Sequence, residues 1–378
     1  MTTLRVMLDE LVTVVPGGIG RYAEELTRQL VATAPDGCEV EGIISSYPEE
    51  TVQSVRSRVP GLARLTKLSS SHRILAGAWQ SGVSLGGCRG MVHAPSLFAP
   101  LGRHDRVNDG DQIAVTIHDA LAWTHPQTLS AQSVFWQKAM ARRASRFADA
   151  VVVPTHAVAE QLGEYLDFGD RVRVIGGAPA QGLQLPADAD ARAARLGLPD
   201  RFVFTMGSID PRKGLRELIE AAARPDFGGL PLVIAGPDRY GEVSASGMAA
   251  AAGLPEGRVR PLGHLSDDDL AVAMQRAQVF VYPSLAEGFG LPLVEAFRFG
   301  TPVIHSDEPA LVEVGGGAGL VVTRADADGY PARLAAQVGR VIGDSELRTR
   351  LHVQSGDRGR AFSWRDSAER VWQLHADL

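Results

Sequence analysis

The chain has 378 residues, of which 45% are hydrophobic and 22% charged. That mix fits two folded domains and excludes a disordered or collagen-like chain. A net charge of −6 gives no support for a nucleic-acid binder, and two cysteines, Cys38 and Cys88, are too few for a disulfide scaffold or a four-cysteine zinc site.

Short continuous apolar runs predict strands at Leu4–Leu8, Val40–Ser45, Met91–Ala94, Ile113–Ile117, Val151–Pro154 and Val172–Ile175. A second set follows at Phe202–Met206, Leu232–Ala235, Val259–Leu262, Val279–Tyr282, Val303–His305 and Gly319–Val322. Runs without polar alternation are how strands buried on both faces of a parallel sheet read. Helical patterns lie between many of them, as at Ile19–Ala34, Leu215–Ala223, Asp268–Ala277 and Leu291–Phe299. The alternation predicts an α/β fold with crossover helices. Because the pattern occurs twice, two domains are expected, with a linker in the Gly-, Pro-, Ala- and Asp-rich stretch Ala178–Asp200. Two such domains form a cleft, and ligands bind at the carboxyl ends of their strands. Ser363–Leu378 reads as a final helix with Ser363 as its cap and Trp364, Ala368, Val371 and Leu374 on one packed face.

Four constellations stand where these strands end. Pro16-Gly17-Gly18-Ile19-Gly20-Arg21-Tyr22 opens the first long helix. Glycines admit close approach of a phosphate or polar group to a helix start, although a plain flexible turn reads the same way. His118-Asp119 follows a buried strand, which suits a contact to a sugar hydroxyl or a proton carrier; alternatively Asp119 caps the next segment. Met206-Gly207-Ser208-Ile209-Asp210-Pro211-Arg212-Lys213-Gly214 opens the second domain. Arg212 and Lys213 pair a donor fork with a point charge, a match for two phosphates, and Lys213 is one of three lysines in an arginine-rich chain. A solvated basic turn is the alternative there. Most specific is Ser284-Leu285-Ala286-Glu287-Gly288-Phe289-Gly290-Leu291-Pro292-Leu293-Val294-Glu295. Its two carboxylates can accept bonds from vicinal hydroxyls, and the N–H groups of Phe289, Gly290 and Leu291 open a helix.

Other features read as structural. Ser266-Asp267-Asp268-Asp269 is expected to cap a helix rather than hold a metal, and no His/Cys cluster has ligand spacing, so no metal is expected. Two basic stretches, one of Arg56, Arg58, Arg64, Lys67 and Arg73 with Leu62, Leu65 and Leu68, the other of Lys138, Arg142, Arg143 and Arg146, are expected to be solvated helix faces. They leave peripheral membrane contact open. No apolar run reaches the ~18 residues of a spanning helix and the segment MTTLRVMLDELV is unlike a signal peptide, so a cytoplasmic protein, with the inner membrane face as an option, is expected.

Together these motifs resemble glycosyltransferase family 4, the retaining enzymes of the GT-B fold, in which two Rossmann-like domains with mostly parallel sheets face each other across a cleft. The resemblance covers nearly the whole chain and is densest from Gly263 to Leu320, where E-G-F-G-L-P-L-V-E matches the family's E-x7-E motif. It implies an acceptor-binding domain of residues 1–178, on which a helix of 366–378 packs back, and a donor-binding domain of residues 179–365. Glu287 would touch the donor sugar and Glu295 the nucleotide ribose, while Arg212 and Lys213 would hold the diphosphate with Phe289, Gly290 and Leu291 beside it. Backbone near Leu265 would hold the base and His118 would meet the transferred sugar. Gly17 and Gly18 would lie near the phosphates or the acceptor, with Arg21 and Asp119 as acceptor-side candidates. Two departures stand out: Ser208 occupies a position where many members carry Arg, a charge Arg212 can replace, and Val174-Ile175-Gly176-Gly177-Ala178-Pro179 replaces the usual Pro-Asn-Gly-Val turn. The resemblance implies metal-independent transfer with no cofactor beyond a nucleotide diphospho-sugar co-substrate, and bacterial mannosyltransferases favour GDP-mannose. A UDP-sugar or dTDP-deoxysugar is the alternative donor; a glycan, a lipid-linked group or a small molecule is the acceptor. A sugar-nucleotide epimerase and a non-catalytic nucleotide-sugar-binding protein are the rival classes.

Overall fold

The computed structural model describes residues 2–12, 17–83, 85, 89–241 and 243–378. Pro16 of the first glycine-rich motif and Cys88 lie outside the described residues. The chain divides into two compact units, Met1–Gly177 with Ser363–Leu378, and Ala178–Phe362.

The first unit carries β1 (Thr2–Met7), β2 (Cys38–Ile44), β3 (Arg64–Lys67), β4 (Met91–Ala94), β5 (Gln112–Thr116), β6 (Ala150–Val153) and β7 (Val172–Val174). They form one parallel sheet in the order β3-β2-β1-β4-β5-β6-β7. The second unit carries β8 (Val203–Met206), β9 (Leu232–Ala235), β10 (Arg239–Tyr240), β11 (Val243–Ser244), β12 (Val259–Gly263), β13 (Val279–Tyr282), β14 (Val303–Ser306) and β15 (Leu320–Val322). Its main sheet is also parallel, ordered β12-β9-β8-β13-β14-β15, with β10 and β11 pairing apart as a small antiparallel hairpin. In both sheets the order reverses beside the first strand, between β1 and β4 and between β8 and β13. A switch point of this kind opens a crevice at the strand ends, because the flanking crossovers leave on opposite faces.

The unalternating apolar runs have the expected cause. In the second sheet Val203, Val281 and Ile304 pack in one cluster, and Phe204, Phe280, Tyr282 and Val303 pack in another. Successive side chains therefore fill two apolar layers, and both faces of the sheet are covered.

The first basic stretch is not a helix face. Arg64–Lys67 is the edge strand β3, while Arg56 and Arg58 sit on the helix Glu49–Arg58 and Arg73 on the helix His72–Ser81. Leucines at spacing three mimic a helix, but Leu65 stands opposite Gly42 of β2. A Cβ on Gly42 would come within 2.8 Å of Leu65 Cδ1 and 3.2 Å of Leu62 Cδ1, so the missing side chain makes room for the strand. The segment read as a linker also holds more structure than expected: it contains the helix Ala189–Arg195 and buries Ala180 and Leu183 in the second unit's core.

The last helix, Trp364–Asp377, begins with Ser363 Oγ accepting the Asp366 N–H at 3.3 Å. Trp364, Ala368, Val371 and Leu374 are all buried. The helix packs on Gly18–Ala32: Trp372 Nε1 donates to the Leu30 carbonyl at 3.1 Å, and Ser367 Oγ donates to the Gly176 carbonyl at 2.8 Å.

Candidate functional site

The second unit's switch point gathers several charged side chains on two loops. After β8 the chain turns through Gly207 and Ser208 into a short 3-10 turn, Pro211–Lys213, capped by Asp210 Oδ1 accepting the Arg212 N–H at 3.0 Å. After β13 it passes through Pro283–Gly290 into the helix Leu291–Arg298. Two contacts clamp these loops: the Leu285 N–H donates to the Arg212 carbonyl at 2.6 Å, and Ser284 Oγ lies 3.1 Å from the same oxygen. Gly214 makes the approach feasible. Its φ is +65°, and a Cβ there would stand 2.2 Å from the Pro283 carbonyl oxygen.

This clamp converges four side chains on one carboxylate oxygen. Lys213 Nζ lies 2.5 Å from Glu287 Oε1, Tyr282 OH donates to it at 2.7 Å, and Ser284 Oγ lies 2.6 Å away. Arg212 Nη1 stands 3.8 Å off, while its Nε pairs with Asp210 at 3.0 Å. Lys213 also donates to Tyr282 OH at 3.1 Å. Among the described residues no hydrogen bond falls on Oε2 of Glu287. Burial opposes ionisation of Glu287, but Lys213 and Arg212 outweigh it and hold the carboxyl below its usual range. Burial lowers the Lys213 ammonium, with Glu287 opposing, and burial beside Glu287 raises the Tyr282 phenol well above its ordinary value. The group is thus an ionised, hydrogen-bonded pair with a phenol kept neutral as a donor.

Glu295 is buried on the helix Leu291–Arg298, near enough to Tyr282 for its charge to raise the phenol. Gly290 precedes this helix at φ +88°, and a Cβ there would meet Leu311 Cδ2 at 2.4 Å. No side chain caps the helix start. Phe289 packs edge-on to Phe362 at 6.0 Å, Leu291 stays half-buried, Ser208 is half-buried after β8, and the Leu265 side chain is buried in the core. A second ring of residues holds the loop from behind, and the motifs gave no sign of it. Tyr330 OH donates to the Pro283 carbonyl at 3.1 Å and Ser306 Oγ to the Ser284 carbonyl at 2.5 Å. Arg324 donates to the Leu285 carbonyl and pairs with Glu308 at 3.0 Å and Asp307 at 2.6 Å. Tyr282 and Ser284 had a signal, since they adjoin Glu287 in sequence; Arg324, Ser306 and Tyr330 had none.

In the first unit, His118 follows β5. Its Nε2 stands 2.7 Å from the Pro95 carbonyl, which can only accept, so Nε2 carries the proton and Nδ1 is left as the ring's acceptor. Tyr22 packs edge-on to the imidazole at 4.7 Å, with Trp364 on its own flank at 5.4 Å. Burial lowers the His118 pKa, with the Pro95 bond opposing. Gly17 caps the helix Gly18–Ala32, and Arg21 lies in its first turn. A Cβ on Gly17 would meet nothing within 4 Å, so the fold's own packing does not demand glycine there. Asp119 Oδ1 accepts the Leu121 N–H at 3.0 Å, the capping geometry weighed for it.

The acidic run caps a helix, as expected, and pairs with arginine. Ser266 Oγ accepts the Asp269 N–H at 3.2 Å, and Arg192 pairs with Asp268 at 2.8 Å and Asp269 at 3.0 Å. In the second basic stretch only Arg142 and Arg146 are exposed: Lys138 lies over the Trp123 ring at 5.8 Å, and Arg143 Nε donates to the Leu101 carbonyl at 2.8 Å. Among the described residues no helix is long and apolar enough to cross a membrane.

The family profile for Glycosyltransferase Family 4 matches residues 16–177, and that for Glycosyl transferases group 1 matches residues 188–355. The chain belongs to glycosyltransferase family 4. Among curated members, the O-antigen chain mannosyltransferase B of Escherichia coli is 33% identical over 169 residues, 43% of this chain and 42% of that protein. The matched stretch thus spans less than half of that relative's length. The MMP alpha-(1->4)-mannosyltransferase of Mycolicibacterium hassiacum is 27% identical, over 93% of this chain and 92% of that protein. Among solved structures, sucrose-phosphate synthase from Thermosynechococcus elongatus superposes with a TM-score of 0.74 at 22% identity, covering 100% of this chain and 99% of that one. Anabaena HepE, in complex with UDP and glucose, gives 0.74 at 18% identity with 100% of both chains covered. The fold is GT-B, as expected from the motifs.

Proposed function

We propose that this family 4 member is a retaining glycosyltransferase that moves a hexose, with mannose from GDP-mannose favoured, to a hydroxyl of a glycan, glycolipid or small molecule. One observation carries the reading: Lys213, Arg212, Tyr282 and Ser284 converge on Glu287 Oε1 at a switch point, while Oε2 is left to accept sugar hydroxyls. The mannosyltransferase names among the relatives support the donor sugar.

On this reading the second unit holds the donor. Arg212 and Lys213 hold the diphosphate, the uncapped helix start at Phe289, Gly290 and Leu291 adds N–H groups, Glu295 holds the ribose, and the backbone at Leu265 holds the base. Glu287 serves twice: it positions the Lys213 ammonium and takes the sugar hydroxyls. As the glycosidic bond breaks, negative charge grows on the leaving diphosphate, and fixed cations stabilise it without reorganising. The acceptor hydroxyl forms the new bond on the same face and gives its proton to the leaving phosphate oxygen. Configuration is retained without a covalent enzyme intermediate or a metal. In the first unit, His118 Nδ1 accepts from a hydroxyl of the transferred sugar, Gly17 and Gly18 approach the phosphates or acceptor, and Arg21 and Asp119 lie on the acceptor side.

The deciding experiment is a thermal-shift panel of GDP, UDP, dTDP and ADP with their sugars, with and without chelator. A ligand at 100 times its Kd stabilises by about 2.7 kcal/mol. A shift with GDP and GDP-mannose that survives chelation is expected. A shift with UDP or dTDP alone replaces the donor, turnover of donor without acceptor favours an epimerase, and no shift at all overturns the donor site.

A further inference from the structure

The first unit holds a polar pocket that includes neither His118 nor the glycine-rich helix start. It is an open pocket of about 760 Å³ lined by Arg103, Arg106, Arg146, Arg171 and Arg173, with His104 and Asp149 among its walls. Most of its residues come from the segments that lead into the strands: Arg103 and Arg106 precede β5, Arg146 is in the last turn of the helix before β6, Asp149 precedes β6, and Arg171 precedes β7, which carries Arg173. The cavity therefore lies at the amino edge of the sheet, whereas His118 stands at the carboxyl edge of β5. The two are separated by the strand's length, on the order of 15 Å at ~3.3 Å per residue. Substrates of doubly wound sheets bind at the carboxyl edge, so the donor or acceptor does not account for arginines at the other.

The pocket is built in part. Arg171 Nη1 donates to the Ala148 carbonyl at 2.8 Å and Nη2 to the Ser145 carbonyl at 2.6 Å, which fixes the wall between β6 and β7. Asp149 accepts from His104 Nε2 at 2.7 Å and from the Ile113 N–H at 2.8 Å, so that carboxylate is already engaged. Asp377 accepts from Gln373 at 2.6 Å, and Asp170 lies at the rim. Among the described residues Arg103, Arg106 and Arg146 form no hydrogen bond or ion pair, although all three line the cavity and Arg106 is near enough to Asp149 to favour its charged form. Five guanidinium groups thus line the pocket with Asp149, Asp170, Asp377 and the terminal residue Leu378; Arg171 and Arg173 are held by main-chain carbonyls, and Asp149 is tied to His104 and β5. Three planar forks without protein acceptors are suited to bidentate recognition of phosphate oxygens, and the volume is that of a small-molecule pocket.

We propose that this cavity binds a small phosphate-bearing anion with two or more charges, of the diphosphate or sugar-phosphate class, as a second site separate from the transfer centre. The inference does not depend on the donor reading.

The test is calorimetric titration of inorganic pyrophosphate into the full chain and into an R103A/R106A/R146A variant. All three side chains are exposed, so the variant is expected to keep the wild-type melting temperature. The wild type is expected to bind pyrophosphate at a component that the variant loses, with affinity falling roughly tenfold for each guanidinium removed. The donor site is intact in both proteins and serves as an internal control: pyrophosphate bound there is the same in both. Identical isotherms overturn the proposal. A parallel flotation assay with phosphatidylglycerol vesicles separates the sources of phosphate. If the variant loses vesicle binding while its pyrophosphate isotherm is unchanged, a lipid surface replaces the small anion and the proposal fails.

Discussion

Glu287 and Lys213 are mutually dependent, and the consequence is measurable. Removing either leaves the other as a buried charge without its main partner, a cost that pairs of this kind do not share additively. Glu287→Gln and Lys213→Ala are each expected to lower kcat by roughly a hundredfold or more, the scale set by losing one preorganised electrostatic contact. The double variant should be little worse than either single one, because the two act as a unit. Steady-state kinetics with a single donor and acceptor tests this, and additive losses in the double variant would show that the residues act independently. The carboxylate and the lysine were legible in the sequence because each belongs to a contiguous motif. Their 2.5 Å contact was not, since 74 residues separate them. Nor was the support from Arg324 and Tyr330, which reach the loop from the turn after β15 and the start of the next helix, and whose own neighbours in sequence carry no pattern.

Among elements, the C-terminal helix has the clearest energetic signature. Trp372 is 7% exposed and donates to Leu30 of the helix it covers. Trp372→Ala removes a large apolar side chain and leaves the Leu30 carbonyl unsatisfied, for an expected loss of ~3–5 kcal/mol. Chemical denaturation would show it, and hydrogen exchange should rise first in Trp364–Asp377 and Gly18–Ala32. A loss under 1 kcal/mol would mean the helix is not docked as described. The packed face of this helix could be read from its apolar spacing, because a helix three to four turns long repeats its pattern enough times. The edge strand β3 could not: Arg64–Lys67 offers four residues, and leucines on either side impose a false period. What decides it is Gly42 on the neighbouring strand.

For the molecule as a whole, acid is the relevant stress. His93 on β4 and His375 on the last helix are buried with ring centroids 5.6 Å apart. Burial pushes His93 down to about 3, with His375 adding to the fall, and pushes His375 down to about 4, with Asp149 opposing. In the unfolded chain both take a proton near their ordinary value of 6.5. The unfolded state therefore binds more protons below that pH, and stability present above it is lost as the pH falls toward about 4. Each histidine contributes up to ~1.4 kcal/mol per pH unit across that window. His104 acts in the opposite direction: its bond to Asp149 raises its pKa, so its contribution is present in acid and fades as the pH rises through the raised value. Urea denaturation at pH 7 and pH 5 is expected to show a net loss in acid, and His93→Phe should flatten the slope. An unchanged slope would place the acid sensitivity elsewhere.

By itself the sequence determined what is local and periodic. Strands buried on both faces announce themselves as unbroken apolar runs, helices as a repeating stripe, and the donor loop as a contiguous run from Ser284 to Glu295 whose glycines and carboxylates sit at fixed spacing. Tertiary structure decided whatever depends on residues far apart in the chain: the reversal of strand order between β8 and β13, the approach of Gly214 to Pro283, and the shared oxygen of Glu287. It also brought five arginines from the segments that lead into and form β5, β6 and β7 into one cavity. Periodicity reports only the neighbours a residue has along its own element, whereas hydrogen bonds, ion pairs and close backbone contacts are fixed by which elements the sheet topology sets side by side.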